Sequence, residues 1–312
     1  MKLYLGLDIG FGETKAIFLD SNLETINLFS FPTLVAFYNP SPLEKEKLVI
    51  SSGNRKYVIG KDARGEAGCF QPVDFEDIKE FSPLFLKGVL GMNGITADNQ
   101  EIVVCASIPP GWWPEREELR KSLGEEVKNV LVVPQGQGAF VVVNEEEKFE
   151  EGEMILVLDF GYNTVDYLLI EIIEEDFQIN KGNTLSGMGV MKLVDFFKSK
   201  LHGEVSRLSD RALREALRKG EVKVFGERID LGGQKRRAVE EYCTMLMREL
   251  KKMVGDIWRE VDAVICTGGG VYYFDPVDNL PHHRVIVPDR PEFANAEGQA
   301  RWIAKNIEES QD

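Results

Sequence analysis

Two aspartates stand at the ends of apolar runs, each followed two residues later by a glycine. Asp8 closes Leu3-Tyr4-Leu5-Gly6-Leu7 and leads into Ile9, Gly10, Phe11, Gly12, Glu13, Thr14 and Lys15. Asp159 closes Met154-Ile155-Leu156-Val157-Leu158 and leads into Phe160, Gly161, Tyr162, Asn163 and Thr164. A second apolar run follows in both places, so each segment predicts two antiparallel strands joined by a tight turn. Glycine lets such a turn adopt positive φ and lets a ligand come close to the backbone, where several amide groups can converge on one anion. Phosphate is the obvious anion. The Asp before each turn then lies within reach of a phosphate-bound divalent cation, a hard ion that takes carboxylate or water oxygen. One such turn is commonplace on a protein surface. The same device built twice points instead to a polyphosphate clamped from both sides, with Asp8 and Asp159 holding a metal through water.

A third element is Asp262-Ala263-Val264-Ile265-Cys266-Thr267 running into Gly268, Gly269 and Gly270 and a short helical stretch to Tyr273. Three consecutive glycines are costly to order and imply that something flat or bulky approaches the backbone. In this order and spacing the three elements resemble the actin-like ATPase superfamily, and within it the ParM/StbA branch of plasmid-segregating proteins and their archaeal relatives. The resemblance runs through nearly the whole chain. Ala106-Ser107-Ile108-Pro109-Pro110-Gly111-Trp112-Trp113 is similar to the family's strand and Pro-Gly turn, and Pro291-Glu292-Phe293-Ala294-Asn295-Ala296-Glu297-Gly298 to its closing helix, read as P-x-x-A-N-A-x-G.

The resemblance implies an α/β protein with the actin-like ATPase fold, two ribonuclease-H-like domains flanking a nucleotide cleft. Domain I is expected over residues 1–150, with a small insert at about 31–81 and a closing helix at about 292–312. Domain II is expected over 151–291, with a helical subdomain at about 187–255. The implied cofactors are Mg²⁺ and ATP, with GTP left open. Gly10 to Lys15 and Gly161 to Thr164 are then phosphate ligands, Gly268 to Gly270 lie on the adenosine side, and Lys15 points back at the phosphates. Lys235, in the basic run Lys235-Arg236-Arg237, is assigned to the adenine side, against the alternative of a solvated helix face. Gln135 matches the family's water-orienting residue, with Gln137 as its rival. An amide cannot accept a proton as a carboxylate can, so catalysis is expected from geometry and metal charge, and slowly.

The remaining elements follow from local signals. Ser51 to Gly60 reads as a hairpin followed by a helix start near Lys61, with a loop from Asn39 to Lys47. A helix with Pro in its first turn is expected from Pro114 to Leu123, and a strand over Val130 to Pro134. Glu145 to Glu153 reads as an acidic linker at the domain boundary. Gly187 belongs to a Gly-rich helix start whose N–H groups suit an anion, a role compatible with simple capping by Ser186. Helices are expected over Ser209 to Lys219 and from about Gln234 to Val254, separated by a hairpin at Val222 to Asp230. The second helix carries Val239, Tyr242, Cys243, Leu246, Leu250, Met253 and Val254 at core spacing.

Composition sets limits on function. With 312 residues, 43% hydrophobic, the chain can bury large cores in roughly two domains. Its net charge of −15 opposes direct binding of nucleic acid, so a role near DNA calls for a basic adaptor protein, which the resemblance places at the end of a filament. Apolar runs are far shorter than the ~20 residues of a membrane-spanning helix, and no signal-like start is present, so a cytoplasmic location without membrane contact is expected. Trp302 to Glu308 is too acidic and short for a membrane-surface helix. Cys69, Cys105, Cys243 and Cys266 lack C-x-x-C spacing and read as reduced thiols, three of them in the core. His282-His283, without a third ligand nearby, reads as a solvated loop. A chaperone of this fold needs a long substrate-binding tail. The expected function is therefore a self-associating, filament-forming ATPase that moves or positions DNA, with a metabolite kinase or other small-molecule phosphotransferase as the alternative.

Overall fold

A computed structural model describes residues 2–40, 46–95, 101–174 and 176–309, so residues 41–45 of the expected 39–47 loop lie outside the described residues. The chain divides into two units: residues up to Glu146 together with those from Phe293 onward, and Glu147–Glu292.

The first unit opens with β1 (Lys2–Ile9), β2 (Glu13–Leu19) and β3 (Thr25–Pro32). β1 is buried along nearly its whole length, as an apolar run covered on both faces must be. Three short strands, β4 (Val35–Phe37), β5 (Ile50–Ser52) and β6 (Arg55–Ile59), form a separate sheet in the order β4-β6-β5. The hairpin expected at Ser51–Gly60 is present as β5 and β6, but the helix expected near Lys61 is only a 3₁₀ turn, Asp62–Gly65. Lys61 supplies no side-chain cap there. Asp74 does, accepting from the Asp77 N–H, and α1 (Phe75–Met92) begins at that point. The chain continues through β7 (Glu101–Ile108), α2 (Arg116–Gly124), β8 (Asn129–Pro134) and α3 (Gln137–Glu147). Pro114 falls in a 3₁₀ turn, Pro110–Glu115, ahead of α2 and not in its first turn. The completed sheet runs β3-β2-β1-β7-β8, with β2 antiparallel to both β1 and β3, and β7 and β8 parallel to β1.

The second unit contains β9 (Met154–Phe160), β10 (Thr164–Ile173) and β11 (Asp176–Ser186), then α4 (Val190–Lys198) and α5 (Asp210–Lys219). β12 (Glu221–Val224), β13 (Glu227–Asp230), α6 (Gly232–Val254), β14 (Ala263–Thr267), α7 (Pro276–Asn279) and β15 (Val285–Ile286) follow. Its main sheet has the order β11-β10-β9-β14-β15, again with one strand, β10, antiparallel to both its neighbours β9 and β11, and with β14 and β15 parallel to β9. The same topology is thus built twice. On α6 the positions at helical spacing, Val239, Tyr242, Cys243, Leu246, Leu250 and Val254, are buried as their periodicity predicts.

α8 (Ala294–Glu309) belongs to the first unit, where Ala296, Ala300, Ile303 and Ala304 pack with Tyr4, Ile17, Leu19 and Val103. Its cations also correct the expected linker. Glu145 is no linker residue but the last part of α3, ion-paired to Arg301 and Lys305 of α8, and its carboxyl is held below the usual range by those two partners despite partial burial. All four cysteines are free; Cys69 is exposed, and burial pushes the Cys243 thiol up to about 12 and those of Cys105 and Cys266 higher still. His282 is not a solvated loop residue, because its Nε2 lies 2.9 Å from the Val261 carbonyl and its ring meets Trp258 edge-on. Among the described residues no helix is long and apolar enough to cross a membrane.

Candidate functional site

The first turn is held from behind through its carbonyls. Gly10 N–H donates to Glu13 O at 3.1 Å, closing the turn with Phe11 and Gly12 at its tip. The Gly10 carbonyl accepts from Thr33 Oγ1 at 2.6 Å, the Phe11 carbonyl from Gln71 Nε2 at 2.8 Å and the Gly12 carbonyl from Thr33 N–H at 3.1 Å. In a trans peptide the carbonyl and the following N–H point to opposite sides. Three consecutive carbonyls engaged on one side therefore turn the N–H groups of Phe11, Gly12 and Glu13 to the other, which is the arrangement of an anion-binding nest.

The second turn repeats this with different supports. Gly161 N–H donates to Thr164 O at 2.9 Å, with Tyr162 and Asn163 at the tip. The carbonyls of Gly161, Tyr162 and Asn163 accept from Val190, Met191 and Gly189 N–H at 3.0, 3.1 and 3.2 Å. An added Cβ would meet Glu13 O at 3.1 Å from Gly10 and Thr164 O at 3.2 Å from Gly161, so the two glycines occupy matching positions in matching turns.

Charge is placed at the carboxyl ends of the parallel strands, where open α/β sheets bind ligands. In the first unit these ends bring Asp8 of β1, Ser107 of β7 and Gln135 after β8 together. Asp8 is buried, and its Oδ1 accepts from Ser107 Oγ at 3.2 Å and Gln135 Nε2 at 3.1 Å, while Lys15 Nζ is 3.2 Å from Oδ2. Gln135 N–H in turn extends the sheet by donating to Ile108 O. In the second unit Asp159, the next-to-last residue of β9, lies beside Thr267 of β14 and directly across the ladder from Asp166 of β10. Asp166 is buried and accepts from the hydroxyls of Thr164 and Thr184.

Comparison with known proteins agrees with this duplicated design. Residues 6–152 match the family model of the actin-like proteins' N-terminal domain, and residues 157–277 match that of the archaeal actin homologue MreB-like, C-terminal. The chain is an actin-like protein. No curated protein sequence matches it. Among solved structures, the archaeal actin homolog Ta0583 aligns over 98% of this chain and 99% of its own at 18% identity, with a TM-score of 0.78, and has also been solved in complex with ADP. A ParM from a 15-stranded filament of Clostridium botulinum aligns over 98% and 99% at 18% identity, with a TM-score of 0.72. Bacillus thuringiensis ParM with ATP aligns over all of both chains at 17% identity, with a TM-score of 0.63.

Several residues of this actin-like protein sit otherwise than their sequence suggests. Gly268 and Gly270 are glycines because of their own chain: a Cβ on Gly268 would lie 2.2 Å from Asp159 Oδ1, and one on Gly270 2.6 Å from Phe160 Cβ. Of the three glycines, Gly269 alone would set a Cβ in open space. Gly187 takes φ +71° with open space around it, whereas Gly189 is the crowded position, 2.6 Å from Thr164 N and Tyr162 O. The N–H groups at the start of α4 are not left for an anion, since those of Gly189, Val190 and Met191 hold the second turn. Ser186 is the last residue of β11 and not a cap. Lys235 donates to the Arg218 carbonyl at 3.0 Å, and burial pulls its pKa down.

Ser107 and Asp166 escape sequence reasoning. Each is one polar residue inside an apolar strand, and only the registers β1 to β7 and β9 to β10 bring them to the two aspartates. As for a metal, among the described residues no three metal-ligating side chains come together. Isolated carboxylates with neighbouring hydrogen-bond donors suit Mg²⁺, which keeps its waters and takes much of its coordination from substrate phosphates. Asp8 in its unit and Asp159 in its own are each a buried carboxylate that would take such an ion through water. The ion would supply neutralising charge to the phosphates.

Replacing Gln135 by Ala is expected to slow phosphate release from ATP by roughly ten- to hundredfold while leaving nucleotide affinity nearly unchanged. Its amide is aimed by Asp8, whereas Gln137 is the first residue of α3. Phosphate-release kinetics on both single variants decide the matter: a normal rate for Gln135→Ala with a slow Gln137→Ala moves the role two residues along.

Proposed function

We propose that this actin-like protein binds Mg²⁺-ATP, hydrolyses it, and polymerises into filaments that segregate or position DNA. The observation that carries the proposal is the repeated turn with three carbonyls tied back and its N–H groups presented, each beside an acid at a sheet end. Each anion nest suits a phosphate, and Gln135 on Asp8 suits the positioning of water. The ADP complex of Ta0583, the ATP complex of Bacillus thuringiensis ParM and the filament of Clostridium botulinum ParM are precedents on this fold. The experiment is light scattering with ATP and Mg²⁺ over a range of protein concentrations. A polymer appears above a critical concentration. Phosphate release that is proportional to protein and never accompanied by scattering, and that rises with an added small acceptor, would replace the filament with a metabolite kinase.

The link to DNA runs through a partner. A net charge of −15 forfeits the counterion release that drives non-specific DNA binding. A basic DNA-binding adaptor at the filament end meets no such barrier and is attracted by the same field. The purified chain is expected to leave duplex DNA unshifted in gels at physiological salt, with or without ATP. Tight binding by the chain alone would sink the adaptor and point to Arg236 and Arg237, the exposed part of the basic run.

A further inference from the structure

The hairpin formed by β12 and β13 presents a feature that packing within the chain does not explain. Its tip, Phe225-Gly226, joins Val224 and Glu227, which face each other across the ladder. Both tip residues have positive φ, +49° and +86°, as in the type I′ turn that Asn-Gly ordinarily occupies. A bulky side chain in that region is strained. Phe225 is also 90% exposed, the most exposed large apolar side chain among the described residues. A strained aromatic held in water weakens the isolated protein twice over, and such residues persist where they serve a contact.

The same unit offers a place for it. A groove of about 780 Å³ runs along the second half of α6, with Cys243 and Met247 buried in its wall, Thr244 exposed beside them, and Arg248, Lys251 and Lys252 around it. The hairpin joins α6 at its first residue, while the groove begins two turns along and extends to its last turn. The 90% exposure of Phe225 also shows that a chain does not fill its own groove.

We infer that Phe225 of one copy seats in the α6 groove of the next, and that this pair is one contact of the self-association proposed above, on which the inference rests. Knob and groove are different surfaces, so the contact is heterologous and propagates into an open string instead of closing a dimer. Charge fits as well. Copies of a chain at −15 repel, but the groove's lining sets Arg248, Lys251 and Lys252 against Glu240 and Asp278, with Glu249 paired to Arg248 and Lys252, and the knob has Glu227 beside Arg228, so the two surfaces are near neutral and meet without that repulsion. One phenylalanine buries about 200 Å², against more than about 1,000 Å² for a stable pair of proteins. The contact is therefore weak alone and acts as part of a larger, assembly-dependent interface.

The test is Phe225→Asn, which suits the turn. The variant is expected to melt at or above the wild-type temperature and to bind ATP as the wild type does, while its critical concentration in ATP-dependent sedimentation rises at least tenfold. Assembly at the wild-type critical concentration overturns the inference. A second measurement uses Glu227→Cys with Thr244→Cys in a Cys69→Ser background: oxidation during assembly is expected to give a ladder of covalent multimers, and absence of any multimer from assembled protein also overturns it. Failure of the wild type itself to assemble removes the filament proposal and this contact with it, and is distinguished by the wild-type arm.

Discussion

Asp8→Asn is expected to lower ATP turnover by at least about a hundredfold, the scale on which preorganised electrostatic groups at an active site act. The carboxylate is the common acceptor of Lys15, Ser107 and Gln135 at 3.1–3.2 Å, so one change touches the cation and the amide together. An asparagine keeps the shape but offers one carbonyl oxygen and no charge, removing the carboxylate that the largely buried Lys15 ammonium meets at 3.2 Å. Breaking such a pair by removing one member costs about 3–5 kcal/mol when it is fully buried, and somewhat less is expected here because Lys15 retains some solvent contact. Nucleotide affinity should fall as well. Asp159→Asn makes the contrasting case. Its cross-strand neighbour is not a lysine but Asp166, so removing the charge also relieves like-charge proximity, and the melting temperature is expected to fall less than in Asp8→Asn. Turnover should still be lost, through the metal. Phosphate release, nucleotide titration and thermal melting on the two variants check these outcomes, and wild-type turnover in Asp159→Asn would remove that residue from the site.

The contrast between the two aspartates also shows what the sequence makes legible. Both turns, their acids and their glycines are visible because the determinants lie within one contiguous stretch each: strand, Asp, turn glycine, strand. Lys15 is visible for the same reason, since the hairpin register alone puts it across from Asp8. Ser107 is not, because it reaches Asp8 through a parallel pairing between segments about 100 residues apart. The supports of the turns are equally non-local. Thr33 and Gln71 stabilise the first, the start of α4 the second, and nothing in either loop's own residues announces them. Glycines mislead in a regular way. At Gly268 and Gly270 the space is taken by Asp159 and Phe160, and at Gly189 by the second turn, so what excludes a side chain is the protein's own backbone before any ligand. The overall architecture is legible through the order and spacing of the two turns and the Gly268–Gly270 run, with the closing segment 291–298 in support, and the physical basis of that segment emerges only in the packing of α8.

Gly298→Ala is expected to be among the most destabilising single methyl additions in the protein outside the turns. An ideal Cβ at Gly298 would lie 1.8 Å from the Gly138 carbonyl oxygen, one at Gly138 2.1 Å from the Asn295 carbonyl, and one at Gly6 1.7 Å from the Ala296 carbonyl. β1, α3 and α8 thus meet backbone to backbone, and no rotamer change can make room. Overpacking of side chains costs about 1–3 kcal/mol, and a clash with backbone belongs at or above the top of that range. At about 2–4 °C per kcal/mol for a domain of this size, the melting temperature should fall by about 6 °C or more. The consequence for function is more specific than instability. Asn295 Oδ1 accepts from Gly136 N–H at 2.9 Å and from Ala139 N–H at 3.4 Å, so α8 supplies the cap for the first turn of α3, immediately after Gln135. Pushing α8 outward withdraws that cap and frees the backbone that aims Gln135 at Asp8. Folded Gly298→Ala, assayed well below its melting temperature, should therefore still bind ATP but release phosphate about as slowly as Gln135→Ala. A destabilised variant that hydrolyses at the wild-type rate would show that α8 holds the fold together without positioning the water-orienting amide.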